Sequence, residues 1–462
     1  MKRRMIMRKM FKILLICLCV CLICSSAACG GSGTSSLVSD SSKPTVSEDT
    51  SSEKVSFEGQ KVILAAWKDP WSSAFDDLWA VYDYLKDEYD LNFELYLIGK
   101  SDSVQTVQAA IATNTQPDLF YVGGQFLSAV SVLQPLESTG VDLRKFENQA
   151  ILNATKIDGK PYIAAGESVR YCPFDICVYN KELFKKAGIT TPTEYFERGE
   201  WTFENFVFSA EKIAALGKEY LGASLLHTAA FSLSGDSFYR LKNGRAEYSE
   251  GEKLLSAYEE LQGLCKRGTM KMDRSSFGNG KDGMAITNTF GLMRTGHFAK
   301  INPEHLGAVL LPKMSQEDEH TVTAPIAGYG VVKGCKNPKA AAVALEALAA
   351  PLEGLHHSEN TLDKCFHNKE VKEFYFETYE KYCKNIVYYI EDDVSLKQDT
   401  YSALFSDMWS EFGDKSVEKV IADHRENHKK TIEKINQNIE KSLQPPPPPP
   451  ETDPRVEEFL RQ

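Results

Sequence analysis

Two histidines near the C-terminus have a spacing that could bind a metal ion. His424 and His428 stand one helical turn apart, but a zinc protease with this spacing places a glutamate directly after the first histidine. Glu426 is two residues further on, about 200° around a helix, so it faces away from such a site. The sequence therefore predicts a solvated helix face at these histidines and no metal site.

No other group of residues in the sequence is a strong indication of a catalytic or metal site. Tyr388 and Tyr389 are adjacent, as in ferric-ion-binding proteins, but their alternating apolar surroundings predict packing. The sequence has no phosphate-cradling glycine loop and no Gly-x-Ser-x-Gly motif. Three histidines and one cysteine, which are residue types that bind metal ions, lie in a polar connecting segment: His356, His357, Cys365 and His367. Their spacing matches no known pattern of metal ligands. We expect a protein that is not an enzyme and that needs no cofactor.

The first thirty residues predict where the protein works. Six basic residues lead into an apolar run over residues 13–23, which is about half the length of a membrane-spanning helix. We therefore interpret residues 1–28 as an export signal. The segment Ser26-Ala27-Ala28-Cys29-Gly30 resembles the lipobox of bacterial lipoproteins, although Ser26 replaces the usual leucine and an ordinary signal peptidase could also use these residues. The resemblance implies a lipid on Cys29 that anchors the protein to the outer face of the cell membrane.

Charge and composition narrow the possible partners. Removal of the signal would change the formal charge from −11 to about −17, and no run of Lys and Arg remains, which excludes nucleic acid as a partner.

Residues 29–54 are rich in Ser, Thr and Gly and predict a flexible tether. Six prolines at residues 445–450 predict a stiff spacer of about 19 Å within a C-terminal tail, residues 444–462. The six cysteines after Cys29 are widely spaced, which permits disulfides without requiring any.

Strands and helices alternate in the first part of the folded chain. Apolar runs predict buried strands at residues 61–67, 92–98 and 118–122, and a helix is expected at about residues 101–113. Such alternation is typical of an α/β fold with a mainly parallel sheet that is covered on both faces. About 430 residues follow the signal, which is too many for one hydrophobic core, so we expect two domains.

Several segments resemble the extracellular solute-binding proteins of ABC importers, in the sugar-binding group that includes the maltodextrin-binding proteins. The resemblance extends over about residues 61–439. It rests on PDLFYVGG (117–124), DGKPYIAA (158–165), VYNKELFKKAGI (178–189), GEWTFENF (199–206), KDGMAITNTFG (281–291), LLPKM (310–314) and GYGVVKGCKNPKAA (328–341). It implies the two-lobe fold of type II periplasmic binding proteins, in which a hinge of several chain crossings joins the lobes and the ligand lies in the cleft between them.

The resemblance also implies how the chain is divided between the lobes. We expect the first lobe at residues 55–170 and 320–350, and the second at residues 171–319 and 351–443. Trp201 is expected to pack beneath the second lobe at the start of a helix, with Thr202 as its N-cap.

The expected ligand contacts lie where these segments leave their strands. In open α/β sheets, ligands bind beyond the carboxyl ends of the strands. A sugar ring presents C–H faces to aromatic rings and hydroxyl edges to planar polar groups. The expected stacking rings are Trp67, Trp71, Tyr171, Phe290 and Tyr329, and the expected polar contacts are Asp69, Gln125, Arg170, His227 and Asn288.

Alternatives remain open for some of these residues. Trp67 and Trp71 could belong to the core, and Arg170 could pair with Glu167 instead of a ligand. Phe290 has the most direct argument as a ligand contact, because residues 284–286 predict a strand and the polar residues 287–289 mark its exit. The alternative is that Phe290 is a core residue.

The expected function is capture and delivery. We expect a monomeric, lipid-anchored protein that closes its cleft on a carbohydrate and hands it to the permease of an ABC transporter. A non-sugar solute, such as a phosphodiester or a peptide-like molecule, and a ligand sensor are the alternatives. A glycosidase would need two carboxylates facing each other across the cleft, and only Asp69 is available on the wall.

Overall fold

The structure of the protein is a computed structural model. It describes residues 55–66, 77–99, 102–123, 125–165, 174–225, 229–271, 274–292, 298, 300–350, 366–382, 386–390 and 415–443. The expected signal, tether, lipidated Cys29 and C-terminal tail lie outside these residues. No helix within them is both long enough and apolar enough to cross a membrane.

The described strands and helices alternate through most of the chain. The strands are β1 (Lys61–Ala66), β2 (Asn92–Leu97), β3 (Leu119–Gly123), β4 (Leu133–Gln134), β5 (Lys156–Ile157), β6 (Lys160–Pro161), β7 (Asp175–Asn180), β8 (Leu221–Leu225), β9 (Tyr239–Lys242), β10 (Arg245–Tyr248), β11 (Met270–Lys271), β12 (Asp282–Asn288), β13 (Leu306–Val309), β14 (Thr323–Pro325), β15 (Ala327–Val332) and β16 (Val387–Tyr389). The helices are α1 (Asp77–Tyr89), α2 (Ser103–Ala112), α3 (Phe126–Ala129), α4 (Gln149–Ala154), α5 (Lys181–Ala187), α6 (Pro192–Glu197), α7 (Phe203–Ala214), α8 (Ala229–Ser234), α9 (Glu252–Lys266), α10 (Pro338–Ala349), α11 (Lys369–Tyr382) and α12 (Val417–Leu443).

The first lobe contains a sheet with the strand order β2-β1-β3-β15-β4. The three predicted strands are confirmed to within one residue at each end, and β1 is parallel to both β2 and β3. β15 is antiparallel to β3 and to β4, because the chain re-enters this lobe from the opposite direction. The sheet is therefore mixed, with four of its five strands running in the same direction, as expected of a mainly parallel sheet, and β15 running against them.

Both faces of this sheet are covered, as expected. Side chains alternate along a strand, so neighbouring residues of β1 enter different cores. Val62 and Leu64 pack in one apolar cluster with Leu85 of α1 and with alanines of α10. Ala65 belongs to the other cluster, together with Val104 of α2.

The second lobe contains a sheet with the strand order β11-β8-β12-β7-β13. β12 is parallel to β8 and antiparallel to β7. The predictions for the start of α7 are confirmed. Trp201 is fully buried, its Nε1 donates to the carbonyl of Leu310 at 2.8 Å, and Thr202 caps the helix by accepting a hydrogen bond from the Asn205 amide.

A short pair of parallel strands, β14 and β16, forms a sheet separate from those of the two lobes, at the return to the first lobe. The expected division placed β14 in the first lobe and β16 in the second, and the pair joins these two parts of the chain. Thr323 pairs with Val387 and Pro325 with Tyr389. Ile326, between β14 and β15, donates its amide to the carbonyl of Tyr389 at 3.0 Å. The chain therefore leads directly from this pair of strands into the sheet of the first lobe. Tyr388 and Tyr389 are strand residues, in agreement with the prediction of packing.

The long C-terminal helix α12 corrects the prediction for its histidines. His428 is fully buried against the hairpin of β9 and β10, where its Nδ1 lies 2.7 Å from the hydroxyl of Tyr239 and its ring stacks on Tyr248 and Phe238. The prediction of a solvated face is therefore wrong for His428, because the hairpin covers this side of the helix. Glu426 is exposed, as expected.

Burial also decides the ionisation of His428. Loss of hydration lowers its pKa to about 4, with a smaller contribution from nearby His424.

Among the described residues no group of His, Cys, Asp and Glu could hold a metal ion. The cysteines that the structure describes after Cys29, namely Cys177, Cys265 and Cys335, are free thiols.

Candidate functional site

One edge of the second-lobe sheet gathers polar residues at the place where ligands of such sheets bind. The parallel strands β8 and β12 end there, at Leu225 and Asn288, and the antiparallel β7 begins there, at Asp175. Asn288 and Asp175 are direct partners in the register of β12 and β7. The carboxyl ends of two strands and the first residue of a third therefore meet at a single edge.

The strand β12 extends further than expected. We predicted an exit after Ile286, but Thr287 and Asn288 continue to pair with Ile176 and Asp175. The polar side chains do not end the strand, because the neighbouring strand β7 continues to supply backbone partners. Phe290 then lies in a short 3₁₀ segment, Thr289–Leu292, directly after the strand.

Asn288 has an unmet hydrogen-bonding requirement. Its side chain is half-buried, and Oδ1 is shielded from solvent without a hydrogen-bond partner among the described residues. Oγ1 of Thr289, a residue that is 1% exposed, is in the same situation. A buried acceptor without a donor costs about 1–3 kcal/mol, which a ligand hydroxyl or amide in the cleft would recover.

Asp175 is the acidic group of this edge, and the sequence analysis missed it. The residue is 3% exposed, and its Oδ2 accepts hydrogen bonds from Ser232 Oγ at 2.6 Å and from the Tyr389 hydroxyl at 2.9 Å. Ser232 belongs to α8 and Tyr389 to the paired strand β16. A carboxylate at the first residue of an apolar strand was the available signal, but its two donors come from distant parts of the chain.

The first lobe contributes two of the expected residues, and both are buried. Gln125 is 1% exposed, precedes α3, and accepts a hydrogen bond from Ser103 Oγ at 2.6 Å through Oε1. Tyr329 is also 1% exposed, and its ring lies 5.4 Å from that of Tyr121. Its backbone exchanges two hydrogen bonds with Ala164, at 2.7 and 2.9 Å. Ligand contact by Gln125 and Tyr329 stays a prediction.

The remaining expected contacts are not part of the described site. Six of them lie outside the described residues: Trp67, Asp69, Trp71, Arg170, Tyr171 and His227. For Phe290, only the backbone is described. The described part of the site is therefore the second-lobe edge with Asn288, Thr289 and Asp175.

Comparison with known proteins identifies the family. A family model of bacterial extracellular solute-binding proteins matches residues 64–351, which is more than half of the chain. This chain belongs to that family. The resemblance found in the sequence segments is thereby confirmed, and family membership agrees with the expectation of a solute-binding protein rather than an enzyme. A comparison with curated protein sequences found no match.

Solved structures of solute-binding proteins share the fold of this family member. An ABC substrate-binding protein from Listeria monocytogenes in complex with cycloalternan is 19% identical, with a TM-score of 0.58 over 81% of this chain and 99% of that one. The galacto-N-biose-/lacto-N-biose I-binding protein of the ABC transporter from Bifidobacterium longum, in complex with lacto-N-biose, is 16% identical, with a TM-score of 0.57 over 81% and 97%. The GacH receptor of Streptomyces glaucescens, which was solved unliganded and with acarbose, is 15% identical, with a TM-score of 0.56 over 82% and 99%. At these identities the likeness shows the two-lobe fold.

Proposed function

We propose that this solute-binding protein captures a carbohydrate between its lobes and delivers it to the permease of an ABC transporter, while a lipid on Cys29 holds it at the outer face of the membrane. Three proteins of the same fold support the sugar class, since they were solved with cycloalternan, lacto-N-biose and acarbose. The anchor is supported by the lipobox-like segment around Cys29.

The unsatisfied side-chain oxygen of Asn288 carries the proposal for the site. Its Oδ1 can accept a hydrogen bond from a sugar hydroxyl, and its Nδ2 can donate to another hydroxyl oxygen. Since Asp175 is its partner in the strand register, a carboxylate lies beside it. A planar carboxamide at this edge suits a ligand with adjacent hydroxyl groups, because it both accepts and donates hydrogen bonds.

Binding is proposed to occur by closure. The ligand first contacts one lobe, rotation at the hinge then brings the other lobe to it, and the permease recognises the closed form. An affinity on the order of micromolar, which is about −8 kcal/mol, suits a protein that must both capture and release its ligand.

A thermal-shift screen tests the sugar class. The protein without residues 1–29 is mixed with monosaccharides, oligosaccharides, a phosphodiester and a short peptide, each in a separate sample. A ligand at 100 times its Kd should stabilise the folded state by about 2.7 kcal/mol. Stabilisation by the phosphodiester or the peptide alone would contradict the proposal and favour a non-sugar solute.

Titration calorimetry with the best saccharide then tests the site. Asn288→Ala should weaken binding by about 1–3 kcal/mol, because the ligand loses a buried hydrogen-bonding partner. Asn153→Ala is the control, since Asn153 is an exposed residue of α4. Phe290→Ala should weaken binding on the same scale and Phe290→Trp should retain it. Equal affinities of the Asn288 and Asn153 variants would exclude this edge as the ligand site.

A further inference from the structure

The strand β16 presents two adjacent tyrosines to opposite sides. Side chains alternate along a strand, so the rings of Tyr388 and Tyr389 leave it in opposite directions. The backbone between them is fixed, because Val387 donates to the Val322 carbonyl at 2.9 Å and the Tyr389 carbonyl accepts from Ile326 at 3.0 Å. The strand is thus a rigid base for both rings.

Tyr388 is bonded to the first lobe. Its hydroxyl accepts a hydrogen bond from Asn148 Nδ2 at 2.7 Å. Asn148 is 4% exposed and caps α4, because its Oδ1 accepts the amide of Ile151 at 3.2 Å. α4 contributes Leu152 to the apolar cluster that contains Leu64 of β1. The position of the amide is therefore set by the first lobe.

Tyr389 is bonded to the second lobe. Its side chain is buried, and its hydroxyl donates to Asp175 Oδ2 at 2.9 Å. Asp175 is the first residue of β7, and its register partner is Asn288. The strand β16 therefore contacts the first lobe through Tyr388. Through Tyr389 it contacts the second lobe, at the sheet edge that contains Asp175 and Asn288.

We propose that Tyr388 and Tyr389 form a hinge clamp that sets the angle between the lobes and, through it, the affinity of the cleft; the part on affinity rests on the proposed function. A phenol ring has a fixed length, and Asn148 and Asp175 move with different lobes. Both hydrogen bonds therefore exist together only over a narrow range of hinge angles. Loss of either hydroxyl removes the preference for that range and shifts the populations of the hinge conformations.

The distance between the lobes, measured without ligand, tests the clamp directly. Spin labels are introduced as unnatural amino acids at Glu137 in the first lobe and Glu259 in the second, both exposed, since the chain has buried thiols of its own. Tyr388→Phe and Tyr389→Phe should each broaden or shift the distance distribution obtained by pulsed electron resonance. Asn148→Ser keeps an oxygen for the helix cap and loses the reach to Tyr388, so it should reproduce Tyr388→Phe.

Tyr179→Phe is the matched control. The Tyr179 hydroxyl lies 2.8 Å from Thr193 Oγ1, so this variant also loses a tyrosine hydrogen bond, but one that joins β7 to α6 and involves neither β16 nor the first lobe. A distribution that is unchanged in both clamp variants, or changed equally in Tyr179→Phe, would overturn the proposal. Melting temperatures of all variants confirm that they are folded before the distances are compared.

Affinity for the saccharide selected by the screen provides the second readout. Both clamp variants should change Kd in the same direction by about fivefold or more, the scale of one lost hydrogen bond. Changes in opposite directions would overturn the clamp, because the two bonds would then not act on one hinge motion. If no saccharide binds, the proposed function fails, but the ligand-free distances still decide whether the clamp exists.

Discussion

The buried base His428 makes the stability of the protein depend on pH in a defined window. The folded state lowers the pKa of His428 to about 4, whereas an imidazole in an unfolded chain has a pKa of about 6.5. Between these two values the unfolded state binds the additional proton. The free energy of unfolding therefore falls as the pH is lowered from about 6.5 towards 4, and the full effect of about 3 kcal/mol is reached below pH 4.

The window from pH 7 to pH 5 isolates this effect. With the two pKa values above, His428 alone should lower the free energy of unfolding by about 2 kcal/mol over this range. The neighbouring carboxylate of Glu250 does not interfere, because its ion pair with Arg425 lowers its pKa from the usual range of glutamate. It stays ionised throughout the window.

Urea unfolding of the wild type and of His428→Asn at several pH values measures the change. The amide of asparagine can hydrogen-bond to Tyr239 from a position near Nδ1, and it does not titrate. The variant should lose about 2 kcal/mol of the wild-type pH dependence, whatever its stability at pH 7. His305→Asn, whose side chain is 38% exposed, is the control for the loss of a histidine. An unchanged pH dependence in His428→Asn, or a His428 pKa near 6.5 by NMR, would refute the reasoning.

Two further predictions concern the core and the anchor. Gly222→Ala should destabilise the fold by about 1–3 kcal/mol in urea unfolding, since a Cβ on this β8 residue would lie 2.1 Å from the carbonyl oxygen of Ala210 in α7. Gly263→Ala in α9 is the matched control and should be neutral or stabilising by up to about 1 kcal/mol, because its Cβ would meet only the end of the Arg267 side chain. Cys29→Ser should release the protein from the membrane fraction or leave the precursor unprocessed; a processed variant that stays in the membrane fraction would contradict lipidation.

Local patterns were sufficient for β1, β2 and β3, three of the five strands in the sheet of the first lobe. β1 is an apolar run between polar residues, so its length and burial follow from the sequence. The direction of β15 does not, because it depends on the path of the chain through the second lobe. The end of β12 depends on the length of its neighbour β7 for the same reason.

The burial of His428 could have been predicted from the apolar stripe of α12, but the prediction was based on the polar character of histidine instead. Ile421, Ile432, Ile435 and Ile439 of α12 are all buried, and His428 lies seven residues after the first of them. This spacing places it in the same apolar stripe. The chemistry of histidine favoured a solvated face, whereas the stripe correctly indicates burial.

The candidate site was predicted in part for related reasons. Asn288 follows an apolar run, so its position at the edge of a sheet could be inferred from sequence. The role of Asp175 could not, because its donors Ser232 and Tyr389 are 57 and 214 residues away along the chain. Contacts of such separation arise only from the assembled fold.

The surroundings of Asp175 also explain why a carboxylate occupies this edge. A buried carboxylate is costly unless donors surround it, and an apolar residue would avoid that cost. An apolar residue, however, could not accept the hydrogen bond of Tyr389, and this contact between β7 and β16 would then be lost. Since Asp175 pairs with Asn288 in register, a ligand bound at Asn288, as proposed, would change the environment of the carboxylate that Tyr389 contacts. Ligand binding and the hinge angle would then be coupled through one side chain, and a ligand that prefers one hinge angle would shift the hinge populations in proportion to that preference.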